Sequence, residues 1–333
     1  MFNLNMRSTH KYLMNMRKRF QNTWLLFFAM LVIVLAIAGV VFLLVMNKEQ
    51  TTRQKARERA LRETPLDTVL VPFDIAINCY FDYLDSLVVE YDTLTPYPIS
   101  EHLIVRSNPW IIDTLASTDY YRMMAERDRF VYDQRDLIIL QRGDTIFIPN
   151  KYQAEAYFDY QDSIVLDVNI PEFKLRIWDG ADTLYAFPVR VGRDERKYLK
   201  MSGHITDLRT KPGWGKIVRI NRDPDFYDPA SGRKFTHTRR DDGKTTVMPV
   251  IPWIEPEVDG HRHGHLIHPT TNPKTLGKPY SNGCIGVREG DMWRIYYYAP
   301  VGTQVHFRYD LEVVDERGDT IQLRDIYRLK RKG

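Results

Sequence analysis

The run from Trp24 to Met46 carries no charged residue over 23 positions, and it constrains the chain more than any other stretch. At about 1.5 Å per residue, a helix of that length covers a hydrocarbon core of about 30 Å. A single transmembrane helix over 24–46 is therefore expected. A cleaved signal peptide is the rival, because Ala36-Ile37-Ala38 has the small-residue spacing of a cleavage site. The apolar stretch continues to Met46, a poor start for a mature chain, and this favours an uncleaved anchor behind a tail over 1–23. Arg7, Lys11, Arg17, Lys18 and Arg19 precede the run with no acid, and residues 47–63 bring six basic and three acidic residues. Such flanks give no orientation by charge. The whole chain is +4, so the body beyond these basic flanks is mildly acidic, and nothing in it points to nucleic-acid binding.

After the apolar run, residues 47–65 read as a charged helical stalk that stops near Pro65. Residues 66–160 read as a small accessory module, α+β or β. It has a strand over 66–78 with Pro72 near an edge, a helix over 117–128 and a hairpin over 137–149. Strands dominate 161–310, with Asp179-Gly180 as a turn. One short helix over 291–298 has Asp291 as candidate N-cap, and its cluster Trp293, Tyr296, Tyr297 and Tyr298 is assigned to the core. The turn-rich segment 220–250 is expected to be a mobile flap over a substrate groove. Arg142-Gly-Asp-Thr-Ile146 recurs as Arg317-Gly-Asp-Thr-Ile321, and both are assigned to turns. The second lies in a C-terminal hairpin and basic tail over 311–333.

The chemistry centres on Cys284. It sits in Ser281-Asn282-Gly283-Cys284-Ile285, one loop downstream of His265-Leu266-Ile267-His268. A thiolate is the nucleophilic form of cysteine, and a neighbouring imidazole is the usual means of making it available near neutral pH. Cys79, the other cysteine, has no such surroundings and is expected to be free and buried. A disulfide between the two would extinguish the nucleophile. The crowded run His261, His263, His265 and His268 admits a zinc reading with Cys284. Strand alternation opposes it, since His263 and His265 share one face of an extended segment and His268 takes the other. No metal and no cofactor are expected.

These residues resemble the signature of the L,D-transpeptidases, the YkuD family, in its ErfK-like subgroup. The resemblance is carried by Ile267-His268, Leu276-Gly277-Lys278-Pro279, Ser281-x-Gly283-Cys284-Ile285 and Gly302-Thr303-x-Val305. Upstream, residues 163–169, 174–178 and Phe187-Pro-Val-Arg-Val-Gly192 are similar to the family's strands, and Lys211-Pro-Gly-Trp214 to a further element. It covers about 160–310 and implies a YkuD-type β-sandwich catalytic domain, so that the fold class is mainly β with one short helix there. By the resemblance, Cys284 is the nucleophile and His268 the general base, oriented by the carbonyl of Pro269. Gly283, Ser281 and Asn282 shape the loop, with the N–H groups of Gly283 and Cys284 as oxyanion donors. Many members carry Arg two residues after the Cys, where this chain has Gly286. Arg288 is the candidate to replace it in binding substrate, with Tyr280 and Trp214.

The reaction implied is thioester formation on a peptidoglycan stem peptide with release of a D-amino acid, followed by attack of a second stem. Hydrolysis of the thioester, an L,D-carboxypeptidase activity, is an alternative. Another is a cell-wall-binding scaffold with a degenerate site, for which Pro269, Asn282 and Gly286 speak. With the anchor, the resemblance implies a bacterial inner membrane protein with a cytoplasmic tail over 1–23 and its catalytic domain in the periplasm or cell-wall space. Peptidoglycan and membrane are the expected partners, and oligomeric state is left open.

Overall fold

The computed structural model describes residues 30, 34–42, 44–46, 48, 51, 52, 55, 64–315 and 317–329. The chain forms two compact units, Met1–Arg59 and Ala60–Gly333. In the first, the described residues are helical, and Thr52 Oγ1 donates to Lys48 O at 2.8 Å. Among the described residues no helix is long and apolar enough to cross a membrane. Of the expected 24–46 span, residues 30, 34–42 and 44–46 are described, and they are helical. Residues 24–29, 31–33 and 43 of that span, the expected tail over 1–23 and most of the stalk lie outside the described residues. The single-pass anchor and the inner-membrane location that rested on it are accordingly corrected.

The second unit is built on one mixed sheet. Its strands are β1 (Ile164–Asn169), β2 (Lys174–Asp179), β3 (Asp182–Pro188), β4 (Gly213–Asn221), β5 (Trp253–Val258), β6 (Ile267–Pro269), β7 (Ile285–Val287) and β8 (Gln304–Arg308). They lie in the order β7-β6-β5-β4-β8-β1-β2-β3, and the β6–β7 and β8–β1 pairs are parallel. Strand alternation sorts the faces. Leu166, Val168, Leu175, Ile177, Val305 and Phe307 enter the core, while Asp167 on the other face takes both Arg308 Nε (2.6 Å) and Nη2 (2.8 Å). The β2–β3 turn falls at Gly180, as the Asp179-Gly180 pair anticipates.

Among the described residues, six helices accompany the sheet: α1 (Ile77–Asp92), α2 (Glu101–Arg106), α3 (Pro109–Ala116), α4 (Tyr120–Arg127), α5 (Lys151–Gln161) and α6 (Glu289–Tyr298). The expected strand over 66–78 is confined to Asp67–Leu70 and Ile75–Ala76. Helix takes over at Ile77 because Tyr80, Leu84, Leu87 and Tyr91 recur at helical spacing and are all buried. Cys79 falls off that stripe and is exposed, not buried as expected. The 137–149 piece has its turn at Gly143, yet its arms pair elsewhere, Ile138–Leu140 with Ile75–Ala76 and Thr145–Ile148 with Asp67–Leu70. The second repeat does close a hairpin, Glu312–Val314 against Thr320–Gln322.

Helix α6 joins the helices to the sheet. It starts at Glu289 with Arg288 as an N-cap lacking a side-chain bond, three residues ahead of the expected Asp291 cap. Trp293, Tyr296 and Tyr297 are buried, and Phe81 and Tyr80 of α1 pack edge-on against them. Tyr296 and Tyr297 donate to Glu101 at 3.0 and 2.7 Å, and Glu101 also meets Arg222 at 3.0 Å. One hydrophobic core therefore runs from α1 through α6 into the sheet.

The 220–250 segment is not free-standing. Residues 237–239 and 245–247 form a short ladder, and Arg240 beside it enters the interior. Its guanidinium pairs with Glu289 with both side chains almost fully buried, bonds Gln134 Oε1 and Thr246 Oγ1 at 2.8 Å each, and lies over the Tyr120 ring at 4.3 Å. Glu289 also accepts from the Tyr120 N–H and Gln134, each at 3.0 Å. Removing one partner of a buried pair strands the other charge, which costs about 3–5 kcal/mol. Arg240→Met is expected to lose that much in urea unfolding. Glu126→Ala, which removes the exposed Arg122–Glu126 pair, should cost about 1 kcal/mol or less. Equal losses would show that Arg240 does not fasten the segment.

Candidate active site

The parallel β6–β7 pair sets the site. Its register matches Ile267 with Ile285, His268 with Gly286 and Pro269 with Val287, so that Cys284, one residue before β7, neighbours Leu266. Paired residues on adjacent strands present their side chains to the same face, and residues i and i+2 do likewise. Cys284 and His268 thus share a face on a diagonal, about 8 Å between Cα atoms by ideal sheet spacings.

The Leu266 N–H points at Cys284 Sγ at 3.5 Å, and Sγ lies 3.9 Å from Gly264 O. His268 Nδ1 is 2.8 Å from Pro269 O. A carbonyl only accepts, so Nδ1 carries the proton and Nε2 keeps its lone pair. Burial drives the His268 imidazole down to about 3, and Arg190 reinforces this, against the Pro269 bond. Burial pushes the Cys284 thiol up, with the Leu266 N–H and Arg190 pulling the other way. The resting pair is neutral thiol and neutral imidazole.

Gly283 holds the loop at φ +114°, and a Cβ there would come within 2.7 Å of the His265 ring. Ser281 Oγ donates to Cys284 O at 2.6 Å and accepts from the Gly283 N–H at 3.2 Å. The Gly283 N–H is thereby engaged. Asn282 Oδ1 accepts from Arg193 Nη2 at 2.5 Å. Thr210, which the sequence did not single out, donates to Gly283 O at 2.9 Å and accepts from the Gly192 N–H at 2.9 Å. Tyr327 from the C-terminal segment accepts from the Thr210 N–H at 3.2 Å and donates to Gly192 O at 2.6 Å.

Residues 163–307 match the model of the YkuD family, described as an L,D-transpeptidase catalytic domain. The chain carries a YkuD domain. Over 175 residues it is 25% identical to the probable L,D-transpeptidase ErfK/SrfK of Salmonella typhimurium, a match covering 51% of each chain, so that it spans about half the length of that relative. Among solved structures it is similar to an L,D-transpeptidase from Mycobacterium smegmatis (14% identity, TM-score 0.31, 44% of this chain and 58% of that one). It is also similar to residues 123–326 of the L,D-transpeptidase from Xylanimonas cellulosilytica (14% identity, TM-score 0.32, 74% and 100%).

Within the YkuD domain the remaining expected residues are dispersed. Tyr280 is exposed on the short strand Pro279–Ser281, which pairs with Val191–Gly192 beside Arg190. Arg288 is exposed at the start of α6, where its charge acts on Asp291 rather than on Cys284. Trp214 stacks on His306 with ring centroids 3.8 Å apart, on β4, three strand positions from β7. It is not brought to the thiol. The histidines form a stack, His261 on His263 at 6.0 Å and His263 on His265 at 5.6 Å. His265 is buried, and its imidazole is driven down to about 4 by that burial. Among the described residues no group of three or more His, Cys, Asp or Glu side chains is placed to hold a metal ion.

The neutral pair makes a prediction about pH. In a Cys79→Ser background, alkylation of Cys284 by iodoacetamide should keep accelerating with pH to beyond the ordinary thiol range, with no step near the usual histidine value. The sign follows from His268, whose lowered pKa leaves it uncharged through the neutral range and hence unable to supply an imidazolium to the thiolate. A rate that already plateaus at neutral pH would show a preformed thiolate–imidazolium pair instead.

Proposed function

We propose that this chain is a cysteine-dependent L,D-transpeptidase acting on peptidoglycan stem peptides, with 161–310 as its catalytic domain and 66–160 as an accessory module. The observation that carries the reading is the shared face of Cys284 and His268, with Nδ1 of the imidazole engaged by Pro269 O. Nε2 of His268 takes the thiol proton as Sγ attacks the stem carbonyl. Its neutrality in the resting site keeps the base free to do so. Collapse of the tetrahedral intermediate breaks the amide bond, the imidazolium returns the proton to the leaving amine, and a thioester remains on Cys284. The amine of a second stem attacks this thioester, loses its proton to His268 and releases the thiol.

The tetrahedral oxygen needs a fixed donor. With the Gly283 N–H bonded to Ser281, the Cys284 N–H is the donor we assign, and Ser281 and Thr210 hold that peptide in place. Tyr280, which is exposed, is the side chain we assign to substrate contact.

Incubation of the protein with purified tetrapeptide muropeptides and mass spectrometry of the products tests this reading. Cross-linked dimers plus free D-amino acid are expected, whereas tripeptides alone would mark a carboxypeptidase. Cys284→Ser should abolish turnover and Cys79→Ser should not. His268→Ala should lower the rate by about two orders of magnitude or more, the scale of general acid–base catalysis. Turnover surviving in Cys284→Ser would sink the mechanism.

A further inference from the structure

Arg190 lies just ahead of Val191–Gly192, a charge set between the buried Val189 and Val191. Its backbone bridges Gly286, with N–H to O distances of 2.9 and 3.1 Å, on the side of β7 away from β6. Arg190, Gly286 and His268 therefore form one row across three neighbouring segments. The side chain of Arg190 fills the space that Gly286 leaves: a Cβ on Gly286 would meet its Nε at 2.4 Å and its Cγ at 2.8 Å. From there its charge acts on both His268 and Cys284.

Among the described residues no carboxylate pairs with it. Among the described residues, its one side-chain hydrogen bond runs from Nη1 to Thr275 Oγ1 at 3.3 Å, and its Nε is buried without a partner. Asp241 and Tyr280 act on it through space only, and Asp241 Oδ2 is already bonded to the Lys274 N–H. A buried guanidinium donor left unmet is costly, and such groups call for an explanation beyond packing. The contrast with Arg240 is direct, since that buried arginine has Glu289.

We infer that Arg190, seated over Gly286 beside Cys284, is the receptor for a carboxylate on the acyl-donor peptide and sets the enzyme's preference for donors that carry one free. A planar guanidinium with unused donors matches a carboxylate in both charge and shape. Gly286 is part of the device, because any side chain there would evict the guanidinium. Arg288, solvent-exposed and at the head of α6, does not hold this position. The inference rests on Cys284 being the nucleophile, as proposed above.

The test reads the anion site without turnover. In the full chain carrying Cys79→Ser, inactivation rates of Cys284 with iodoacetate and with iodoacetamide are compared. The two reagents differ in a carboxylate against an amide, and both form the same S–C bond with loss of iodide. Arg190→Met should lower the iodoacetate-to-iodoacetamide ratio about tenfold or more, the scale of a lost charge-assisted bond. Arg190→Lys should retain part of the preference. Gly286→Ala, with the arginine still present, should lose it too, and raising salt should shrink it in the unaltered site. With stem donors, Arg190→Met should raise KM about tenfold for a free carboxylate and leave the amidated donor unchanged. A ratio unmoved by Arg190→Met, or an equal fall with both reagents, overturns the inference and leaves Arg190 acting on the thiolate alone. A ratio that moves as expected in a protein that turns over no stem peptide would retain the anion site and refute the proposed function.

Discussion

Three residue pairs of parallel backbone, 267–269 against 285–287, hold a thiol and an imidazole on one face of the sheet edge. Everything around them serves that register. A slip of one residue would turn Cys284 to the opposite face from His268. The strands are too short to fix their own alignment, and their surroundings do it instead. Arg190 bridges Gly286 from one side, β5 flanks β6 on the other, and Val287 leads directly through Arg288 into α6. Thr210 and Ser281 tie down the loop peptide that precedes the thiol.

Burial is the second determinant, and it acts on the two reacting groups in complementary ways. It disfavours the thiolate and disfavours the imidazolium, so that both partners rest uncharged. Charge then appears only as the proton moves. Arg190 is the permanent charge beside them, which lowers the cost of a thiolate and raises that of an imidazolium. Glu255, held between Arg219 and Arg262 at 2.7 Å each, opposes it on the thiol.

Much of the sheet could be read ahead of the structure, because 163–169 and 174–178 resemble the family's strands and strands fall there. Turns at Gly180 and Gly318 were legible from the local Asp-Gly and Gly-Asp pairs. What escaped depends on partners distant in sequence. The arms of 137–149 look like a hairpin, yet each finds a better neighbour more than 60 residues earlier. The 220–250 segment has loop composition, but one buried arginine fastens it. Helices α1, α2, α3 and α5 went unread, although Asn150 and Gln153 form a capping box at the start of α5 and Tyr80, Leu84, Leu87 and Tyr91 mark α1. Arg190 had a signal too, a lone charge between Val189 and Val191. Its meaning needed Gly286, 96 residues away, to be seen as space rather than as a missing side chain.

Helix α6 has a consequence for how this protein can be divided. Its two sides belong to different stretches of chain: the register of β7 leads into it, while Phe81, Tyr80 and Glu101 from far upstream cover Trp293, Tyr296 and Tyr297. A gene segment limited to 163–307 would translate into a sheet whose edge helix shows three large aromatic side chains to water, together with two phenols that have lost their carboxylate. Exchanging the upstream helices for a foreign segment meets the same barrier, because the two layers of this chain share one aromatic seam.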